Sequence, residues 1–293
     1  MSASKGITDV GFVGLGIMGG SMAGHLLDAG YALHVFNRTR ERAGPLIARG
    51  ARWHDGPGDV AAASDVVVTM VGYPADVEAI YLGPGAIVER ARPGTILVDM
   101  TTSSPALAER IAREAQKRGL GALDAPVSGG DVGAREAKLS IMVGGGEDAF
   151  EAVLPILKRM GTNVVRQGGP GAGQHTKLCN QIVIASTMLG VCEGLAYAKR
   201  AGLDPHTVLA SIGGGAASSF LLNTLGPRIL KNDFAPGFFV EHFVKDLRIA
   251  AEEAGRLHAD LPGLDLAKGL YEALLAQGHG REGTQALFKH FDG

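Results

Sequence analysis

A lysine and two amide residues stand close together in the stretch GAGQHTKLCNQIVIAS, residues 171–186. Lys177 precedes Asn180 and Gln181 by three and four positions, so on a helix the three side chains share one face. The residues around them are apolar and suit burial: Leu178, Cys179, Ile182 and Val183. A buried ammonium could stabilise negative charge that develops on an oxygen and donate a proton to it. The alternative, which the local pattern alone favours, is a lysine exposed at the start of a helix.

Three glycines with G-x-G-x-x-G spacing lie near the N-terminus, in VGFVGLGIMGGSMAGHLLDAG. Gly14, Gly16 and Gly19 follow a strand-like run and precede a helical one. Such glycines permit a tight turn and a close approach of the backbone to a pyrophosphate, which binds free N–H groups at the start of the helix. This context predicts a dinucleotide-binding loop. A purely structural glycine-rich turn is the alternative.

The end of the second strand-like run, HVFNRTRER, bears on which dinucleotide binds. An NAD site usually carries an acidic residue here, which bonds the ribose hydroxyls. This chain has Asn37, Arg38 and Thr39 instead. The planar guanidinium of Arg38 could neutralise a 2′-phosphate, so the sequence favours NADP(H), with NAD(H) possible. The alternative is a surface arginine at the start of a charged helix.

Strand-like and helical segments alternate through the first half of the chain, from DVGFVGLG to AKLSIMVGGG. Short β-branched strands separated by helices indicate a parallel, doubly wound sheet. Glycines and a proline crowd residues 166–174, and the segments beyond are almost all helical. We therefore predict an α/β fold, with a Rossmann-type doubly wound parallel sheet over residues 1–167 and an all-α C-terminal domain over residues 168–293.

The composition narrows the class of protein. The chain has 293 residues, 46% of them hydrophobic, and a formal net charge of −2. It shows no basic stripe of the kind that binds nucleic acids, no signal peptide and no apolar run of membrane-spanning length. We therefore expect a cytoplasmic protein with no nucleic-acid or membrane partner. Cys179 and Cys192 are too far apart on one helix for a disulfide and fit no metal-ligand spacing, so we expect reduced, buried thiols and no metal site.

Five sequence blocks occur in the order typical of a known family. Four of them are GFVGLGIMGGSMAGHLLDAG, VDMTTSSP, DAPVSGGDVGAREAKLSIMVGG and GAGQHTKLCNQ, and the fifth, GFFVEHFVKDLRIA, lies in the helical half. On these blocks the chain resembles the β-hydroxyacid dehydrogenase family, which includes 3-hydroxyisobutyrate dehydrogenase, tartronate semialdehyde reductase and the glyoxylate/succinic semialdehyde reductases. Because the blocks span nearly the whole chain, chance agreement is negligible.

The resemblance implies a role for each matching residue. Lys177 matches the family's catalytic lysine, and Asn180 matches its substrate-binding asparagine. Thr102 and Lys245 match residues near the nicotinamide. The glycine-rich loop that holds the substrate carboxylate matches Ser128, Gly129 and Gly130. We also assign three further residues to the cofactor site: Ile17, Met18 and Val71.

Gln181 departs from the pattern of many relatives, which have a second asparagine at this position. Tartronate semialdehyde reductases tend to have glutamine here. We assign Gln181 to the substrate site, where its extra methylene shifts the amide and leaves the size of the substrate open.

The resemblance predicts an NADP(H)-dependent oxidoreductase that interconverts a short β-hydroxy acid and its semialdehyde or oxo acid. Lys177 would donate or accept the proton, and the substrate would be a small carboxylate. A homo-dimer or homo-tetramer is expected, because relatives pack their helical domains against a second subunit. Two alternatives stay open: an imine reductase-like enzyme, a class that usually lacks the lysine, and a non-catalytic NADP-binding module, which would not need Lys177. A 6-phosphogluconate dehydrogenase is disfavoured because the helical half is too short.

Overall fold

The computed structural model describes residues 6–292. Within them the chain forms two compact units, one ending at Lys177 and the other beginning at Leu178. The predicted junction between residues 167 and 168 lies earlier, at the end of the last strand. The next helix starts at Ala172, and its first turn belongs to the first unit because it is hydrogen-bonded to the carboxylate of Asp124.

The first unit is an α/β arrangement built on one sheet. Its strands are β1 (Asp9–Val13), β2 (Ala32–Phe36), β3 (Arg52–Trp53), β4 (Val66–Thr69), β5 (Ile96–Asp99), β6 (Gly121–Asp124), β7 (Val127–Ser128), β8 (Leu139–Gly145) and β9 (Gly161–Gly168). Its helices are α1 (Ile17–Asp28), α2 (Gly44–Ile47), α3 (Pro57–Ala63), α4 (Pro74–Leu82), α5 (Ile87–Arg90), α6 (Pro105–Lys117), α7 (Gly130–Arg135) and α8 (Glu147–Leu157), with a 3-10 turn at Arg40–Ala43.

The strands pair in the order β3–β2–β1–β4–β5–β6–β8–β7, and β9 pairs with β8. The pairs from β3 through β6 are parallel, as predicted for a doubly wound sheet. β8 departs from the parallel prediction, because it runs antiparallel to β6 and to β7. The connection from β7 to β8 holds only the short helix α7, which is less than the dozen or so residues that a parallel crossover needs. β9 has no counterpart among the predicted strands.

The central strands are buried on both faces, which explains their nearly continuous apolar sequence. Alternate residues of β4 enter different cores: Val66 and Val68 pack on one side of the sheet with Phe12, and Val67 packs on the other side with Leu97. Because successive side chains of a strand point to opposite faces of the sheet, β4 packs against the helices on both faces.

The carboxyl ends of five strands lie in one row. Phe36 pairs with Val13, Val13 with Thr69, Thr69 with Asp99, and Asp99 with Asp124. The loops that follow these strands must therefore lie along a single edge of the sheet. In doubly wound folds this edge is where ligands bind.

The second unit is helical and, within the described residues, holds no strand beyond an isolated bridge. It comprises the rest of α9 (Ala172–Arg200), α10 (Pro205–Ile212), α11 (Phe220–Leu230), α12 (Val240–Arg256), α13 (Pro262–Leu274), a π-helical turn Leu275–His279 and a 3-10 segment Thr284–His290. Its own core includes Phe243 and Tyr271, whose rings meet edge to face with centroids 4.9 Å apart. The Tyr271 hydroxyl donates to the Thr284 carbonyl at 2.8 Å, so the polar end of this buried ring is satisfied.

Helix α9 is long and apolar enough, by length and composition alone, to cross a membrane. The expectation that no stretch has these properties is therefore wrong. One face of α9 contributes Met188 and Cys192 to the second core, and helices buried in the core of a protein share such a composition. The opposite face is exposed, so the expected burial of Cys179 and Val183 is also wrong.

A first prediction concerns the stability of the sheet edge at Asp99. Its Oδ1 accepts hydrogen bonds from Thr69 Oγ1 at 2.8 Å and from the Thr101 N–H at 3.1 Å. Burial nevertheless raises its pKa from 3.8 to about 6. A carboxyl whose pKa is raised in the folded state stabilises the fold fully below pH 3.8 and loses that stability as the pH rises to 6. In total, the free energy of unfolding falls by about 3 kcal/mol over this pH range.

Asp99→Asn keeps an Oδ1 acceptor and cannot ionise. We expect its free energy of unfolding to exceed that of the unmodified chain at pH 8 and to approach it at pH 4, as measured by urea unfolding. The exposed Asp148→Asn variant is the matched control and should show no such divergence. A constant difference between Asp99→Asn and the unmodified chain across this range would contradict the assignment.

Candidate active site

The three glycines of the first loop have three different surroundings. Gly14 has φ +96, and a Cβ there would lie 2.2 Å from the Met70 carbonyl oxygen. A Cβ at Gly19 would lie 2.0 Å from the carbonyl oxygen of Gly14, whereas a Cβ at Gly16 would meet only Arg42 Nη1, 3.9 Å away. The first glycine thus makes the turn, the third allows close packing, and the second leaves open space at the start of α1. This is the division of labour of a dinucleotide-binding loop.

The start of α1 is suited to bind a phosphate. Its N-cap is Gly16, and no side chain caps the first turn, so the N–H groups there face the open space with the positive end of the helix dipole. Ile17 is 61% exposed at this point, while Met18 packs against the first core. The residues present therefore fit the pyrophosphate of a dinucleotide.

Asn37 shapes the glycine loop from the neighbouring strand end. Its Oδ1 accepts the Leu15 N–H at 2.8 Å, and its Nδ2 donates to the Thr39 carbonyl at 2.8 Å. Both functional atoms of the amide are therefore engaged within the protein. The structure places Asn37 beside the predicted cofactor site, where it holds the loop in position.

Two arginines lie near this loop. The Arg38 side chain is 82% exposed, and its Nη1 pairs with Asp76 Oδ1 at 3.1 Å. Arg42, which the sequence reasoning missed, places Nη1 beside Gly16, and within the described residues its guanidinium has no ion pair. The run RTRER, which places two further arginines just after Arg38, was a usable signal.

The residues after β4 and β5 are tied to each other. The Val71 N–H donates to Thr101 Oγ1 at 3.0 Å, and Val71 Cγ1 lies 3.1 Å from where a Cβ of Gly14 would stand. Thr102 lies between Thr101 and Ser103, both of which are buried. Val71 and Thr102 therefore lie on the same sheet edge as the glycine loop.

Gln174, a second residue that the sequence reasoning missed, holds the segment around Thr102. Its side chain is fully buried. Nε2 donates to the Thr101 carbonyl at 2.8 Å, and Oε1 accepts the Ser103 N–H at 2.9 Å. The first turn of α9 is therefore clamped to the segment that follows β5.

The loop Ser128–Gly130 follows β7 on the same edge. Gly129 has φ +131 and Gly130 has φ +63, conformations that favour glycine over residues with a side chain. The loop then enters α7. The predicted turn through two glycines is present, and it brings backbone N–H groups to the start of a helical turn.

Lys177 lies in the second turn of α9 and is only 6% exposed. The alternative of a solvated lysine at an open helix start therefore does not hold. The helix start is fixed by Asp124, whose two carboxylate oxygens accept the N–H groups of Gly171 and Gln174, each at 2.8 Å. Burial raises the pKa of Asp124, against these hydrogen bonds.

In the second unit, the predicted residues join a hydrogen-bonded chain that ends on a buried acid. Asn180 Nδ2 donates to Gln181 Oε1 at 2.8 Å, and Gln181 Nε2 donates to Asp246 Oδ2 at 2.6 Å. Lys245 Nζ lies 2.9 Å from Asp246 Oδ1 as an ion pair, without the alignment of a hydrogen bond. Both amide atoms of Gln181 are thus used inside the protein, so its extra methylene lets it reach Asp246. Asp246 was not among the predicted site residues.

Two sequence families cover nearly the whole chain. Residues 9–169 match the family described as the NAD binding domain of 6-phosphogluconate dehydrogenase. Residues 171–291 match the family described as NAD-binding of NADP-dependent 3-hydroxyisobutyrate dehydrogenase.

The names of individual relatives agree with these family descriptions. A 3-hydroxyisobutyrate dehydrogenase-like protein of Arabidopsis thaliana is 52% identical over 96% of this chain and 84% of its own. The 2-hydroxy-3-oxopropionate reductase of Escherichia coli is 40% identical over 95% of both chains.

Solved structures agree as well. Mycobacterium tuberculosis 3-hydroxyisobutyrate dehydrogenase with L-serine has a TM-score of 0.91 at 30% identity, covering 98% of this chain and all of that one. Psf3, solved with NADP+ and 2-OPP, has a TM-score of 0.88 at 25% identity over 96% of this chain and 99% of that one.

The fold and these matches define an NAD(P)-binding oxidoreductase that acts on the CH–OH group of hydroxy acids. The chain belongs to the β-hydroxyacid dehydrogenase family, as its sequence blocks predicted.

A second prediction separates the roles of the loop glycines. Gly19→Ala should lower the free energy of unfolding by about 1–3 kcal/mol, because its methyl group would collide with the Gly14 carbonyl. Gly16→Ala should change that free energy by less than about 0.5 kcal/mol but weaken dinucleotide binding, because the methyl group enters the open space. Urea unfolding and fluorescence titration with NADPH measure the two effects.

Gly20→Ala is the matched control, since a Cβ there would meet its nearest atom, the Leu15 carbonyl oxygen, at 3.8 Å. It should retain both stability and binding. Wild-type NADPH affinity in Gly16→Ala would show that the open space is not the pyrophosphate site.

Proposed function

We propose that this chain is an NADP(H)-dependent reductase and dehydrogenase that interconverts a short β-hydroxy acid and its semialdehyde or oxo acid. The burial of Lys177 on α9 carries the proposal. A buried ammonium loses hydration and is retained where its charge is used. Its family match and its position one turn before Asn180 support proton transfer as that use.

A bound nicotinamide dinucleotide would supply a hydride to the carbonyl carbon in the reductive direction. Negative charge then develops on the carbonyl oxygen, and the Lys177 ammonium stabilises that charge and donates a proton to it. In the oxidative direction, neutral Lys177 accepts the hydroxyl proton. The backbone N–H groups of the Ser128–Gly130 loop would bind the substrate carboxylate, as a turn with successive free N–H groups binds anions.

The preference for NADP(H) rests on the two arginines near the glycine loop. Arg38 is exposed and follows β2, where an NAD enzyme usually has a carboxylate. Arg42 adds a second guanidinium beside Gly16. The Psf3 structure contains NADP+, which supports the same choice. Asp76 is the group that a 2′-phosphate would displace from Arg38.

The oligomeric state stays a prediction, and we infer a homo-dimer or homo-tetramer. Val183 is 64% exposed and Tyr197 is 74% exposed, and both lie on the solvent face of α9 with Gly190 and Gly194. Large apolar side chains grouped on one face are typical of surfaces that bind another protein. A second copy of the chain is the occupant we expect, as the family resemblance implies.

A third prediction tests the proton donor. Lys177→Met retains an unbranched apolar chain that fills the buried site but removes the ammonium. We expect kcat for aldehyde reduction to fall by about 10²–10⁴-fold, with little change in NADPH affinity. Steady-state rates with small semialdehydes and fluorescence titration measure the two quantities.

The exposed Lys158→Met variant on the first unit controls for a general effect of removing a lysine and should turn over normally. Normal kcat in Lys177→Met would refute the assigned role.

A fourth prediction tests the cofactor assignment. Arg38→Ala should lower kcat/KM for NADPH by about tenfold, the effect of losing one charge-assisted contact at an exposed site. It should leave kcat/KM for NADH unchanged, because NADH has no 2′-phosphate. Asp76→Asn is the matched control. It frees Arg38 from its ion pair, so it should not lower kcat/KM for NADPH. An equal loss with both cofactors in Arg38→Ala would contradict the assignment.

A further inference from the structure

A threonine hydroxyl joins the loops that follow β4 and β5. At the ends of these strands the Met100 N–H donates to the Thr69 carbonyl at 2.9 Å, an ordinary backbone bond between neighbouring parallel strands. The Val71 N–H, two residues after Thr69, donates instead to a side chain, the Thr101 hydroxyl, at 3.0 Å. This hydroxyl takes the place of a backbone acceptor, so the two loops stay joined where the strands have ended.

Thr101 is bonded through its backbone as well as its side chain, and it is only 1% exposed. Its N–H donates to Asp99 Oδ1 at 3.1 Å, and its carbonyl accepts Gln174 Nε2 at 2.8 Å. Together with the bond from Val71, these contacts reach three segments: the end of β5, the loop after β4 and the first turn of α9. A buried polar group whose hydrogen bonds are all made is rigid, so Thr101 fixes the three segments relative to one another.

The segments that meet at Thr101 lead to both ends of the proposed reaction. Val71 is assigned to the cofactor site, and its Cγ1 lies 3.1 Å from where a Cβ of Gly14 would stand. Gln174 lies one turn before Lys177 on α9. The contacts of Thr101 therefore run from the glycine loop to the helix that carries the proposed proton donor, all within the first unit.

We propose that Thr101 is a positioning residue, whose hydroxyl sets the placement of the hydride-donating end of the cofactor relative to the Lys177 ammonium. Hydride and proton are transferred to the same carbonyl group, so both donors must lie at their reactive distances from it at the same time. A misplacement of about 1 Å slows such a step by up to about 100-fold. This inference rests on the proposed function and adds to it a buried residue that acts through its neighbours.

Thr101→Val tests the proposal, because it keeps the branched shape and replaces the hydroxyl with a methyl group. We expect the single-turnover rate constant of hydride transfer to fall by about 10–100-fold. The Kd for NADPH should change by less than about threefold, since the Gly14 N–H is held separately by the Phe36 carbonyl, at 3.0 Å. Stopped-flow mixing of the NADPH complex with succinic semialdehyde gives the rate constant, and its amplitude gives the active fraction.

The unloaded chain provides a second readout. Without its acceptor, the Val71 amide in Thr101→Val should exchange its hydrogen with deuterium about tenfold faster than in the unmodified chain. Thr101→Ser retains the hydroxyl and should restore both slow exchange and rapid hydride transfer. Slow exchange together with a normal rate constant in Thr101→Val would overturn the inference.

Thr95→Val is the matched control, because it removes a buried hydroxyl near the opposite end of the same strand. Thr95 is 3% exposed, and its Oγ1 donates to the Ser64 carbonyl at 3.2 Å. We expect a comparable loss of stability with an unchanged rate constant. If Thr101 had only a structural role, both valine variants would lose amplitude and keep the rate constant of the unmodified chain.

Gln174→Met decides the question if Thr101→Val does not fold. It breaks the connection on the side of α9 and leaves the Thr101 hydroxyl in place, so it should also slow hydride transfer at nearly unchanged NADPH affinity. A normal rate constant in this variant would contradict the inference and leave the proposed function standing. No reduction of succinic, methylmalonic or tartronic semialdehyde by the unmodified chain would overturn the proposed function and the inference with it.

Discussion

The carboxylate of Asp124 is the constraint on which the geometry of the candidate site depends. It lies at the end of β6 and accepts two N–H groups from the start of α9. This contact requires close packing, because a Cβ at Gly173 would lie 2.6 Å from the Asp124 carbonyl oxygen. The helix that carries Lys177 is therefore anchored on the sheet edge where the cofactor loop lies, by a charge that also complements the helix dipole.

Gln174 extends this anchor to the segment after β5. Its amide bonds both the residue before and the residue after Thr102, so Lys177 and Thr102 belong to one hydrogen-bonded framework within the first unit. Groups held in this way need little reorganisation when charge develops in a reaction. In the second unit, Asp246 accepts a hydrogen bond from Gln181, which in turn accepts one from Asn180.

Much of this arrangement could be predicted from local sequence patterns. The glycine spacing predicted the loop after β1, because each of these glycines is required by the local backbone conformation or packing. The alternation of strands and helices predicted the parallel part of the sheet. The strand at β8 was predicted but its antiparallel direction was missed, since the direction of a strand depends on which strand it pairs with. Gln174 and Asp246 were missed because their partners are distant in sequence. Gln181 was assigned to the substrate from its family position, although its length is explained by the reach to Asp246.

Of the two thiols of α9, one is buried and the other is exposed. Cys192 is buried in the second core, where burial raises the pKa of its thiol, so it reacts slowly with electrophiles. Cys179 is exposed, two residues after Lys177. A maleimide dye would therefore attach to the unmodified chain at one position, on the exposed face of α9 that also carries Val183 and that we propose binds a second copy of the chain. The chain thus carries its own attachment point for a spectroscopic reporter.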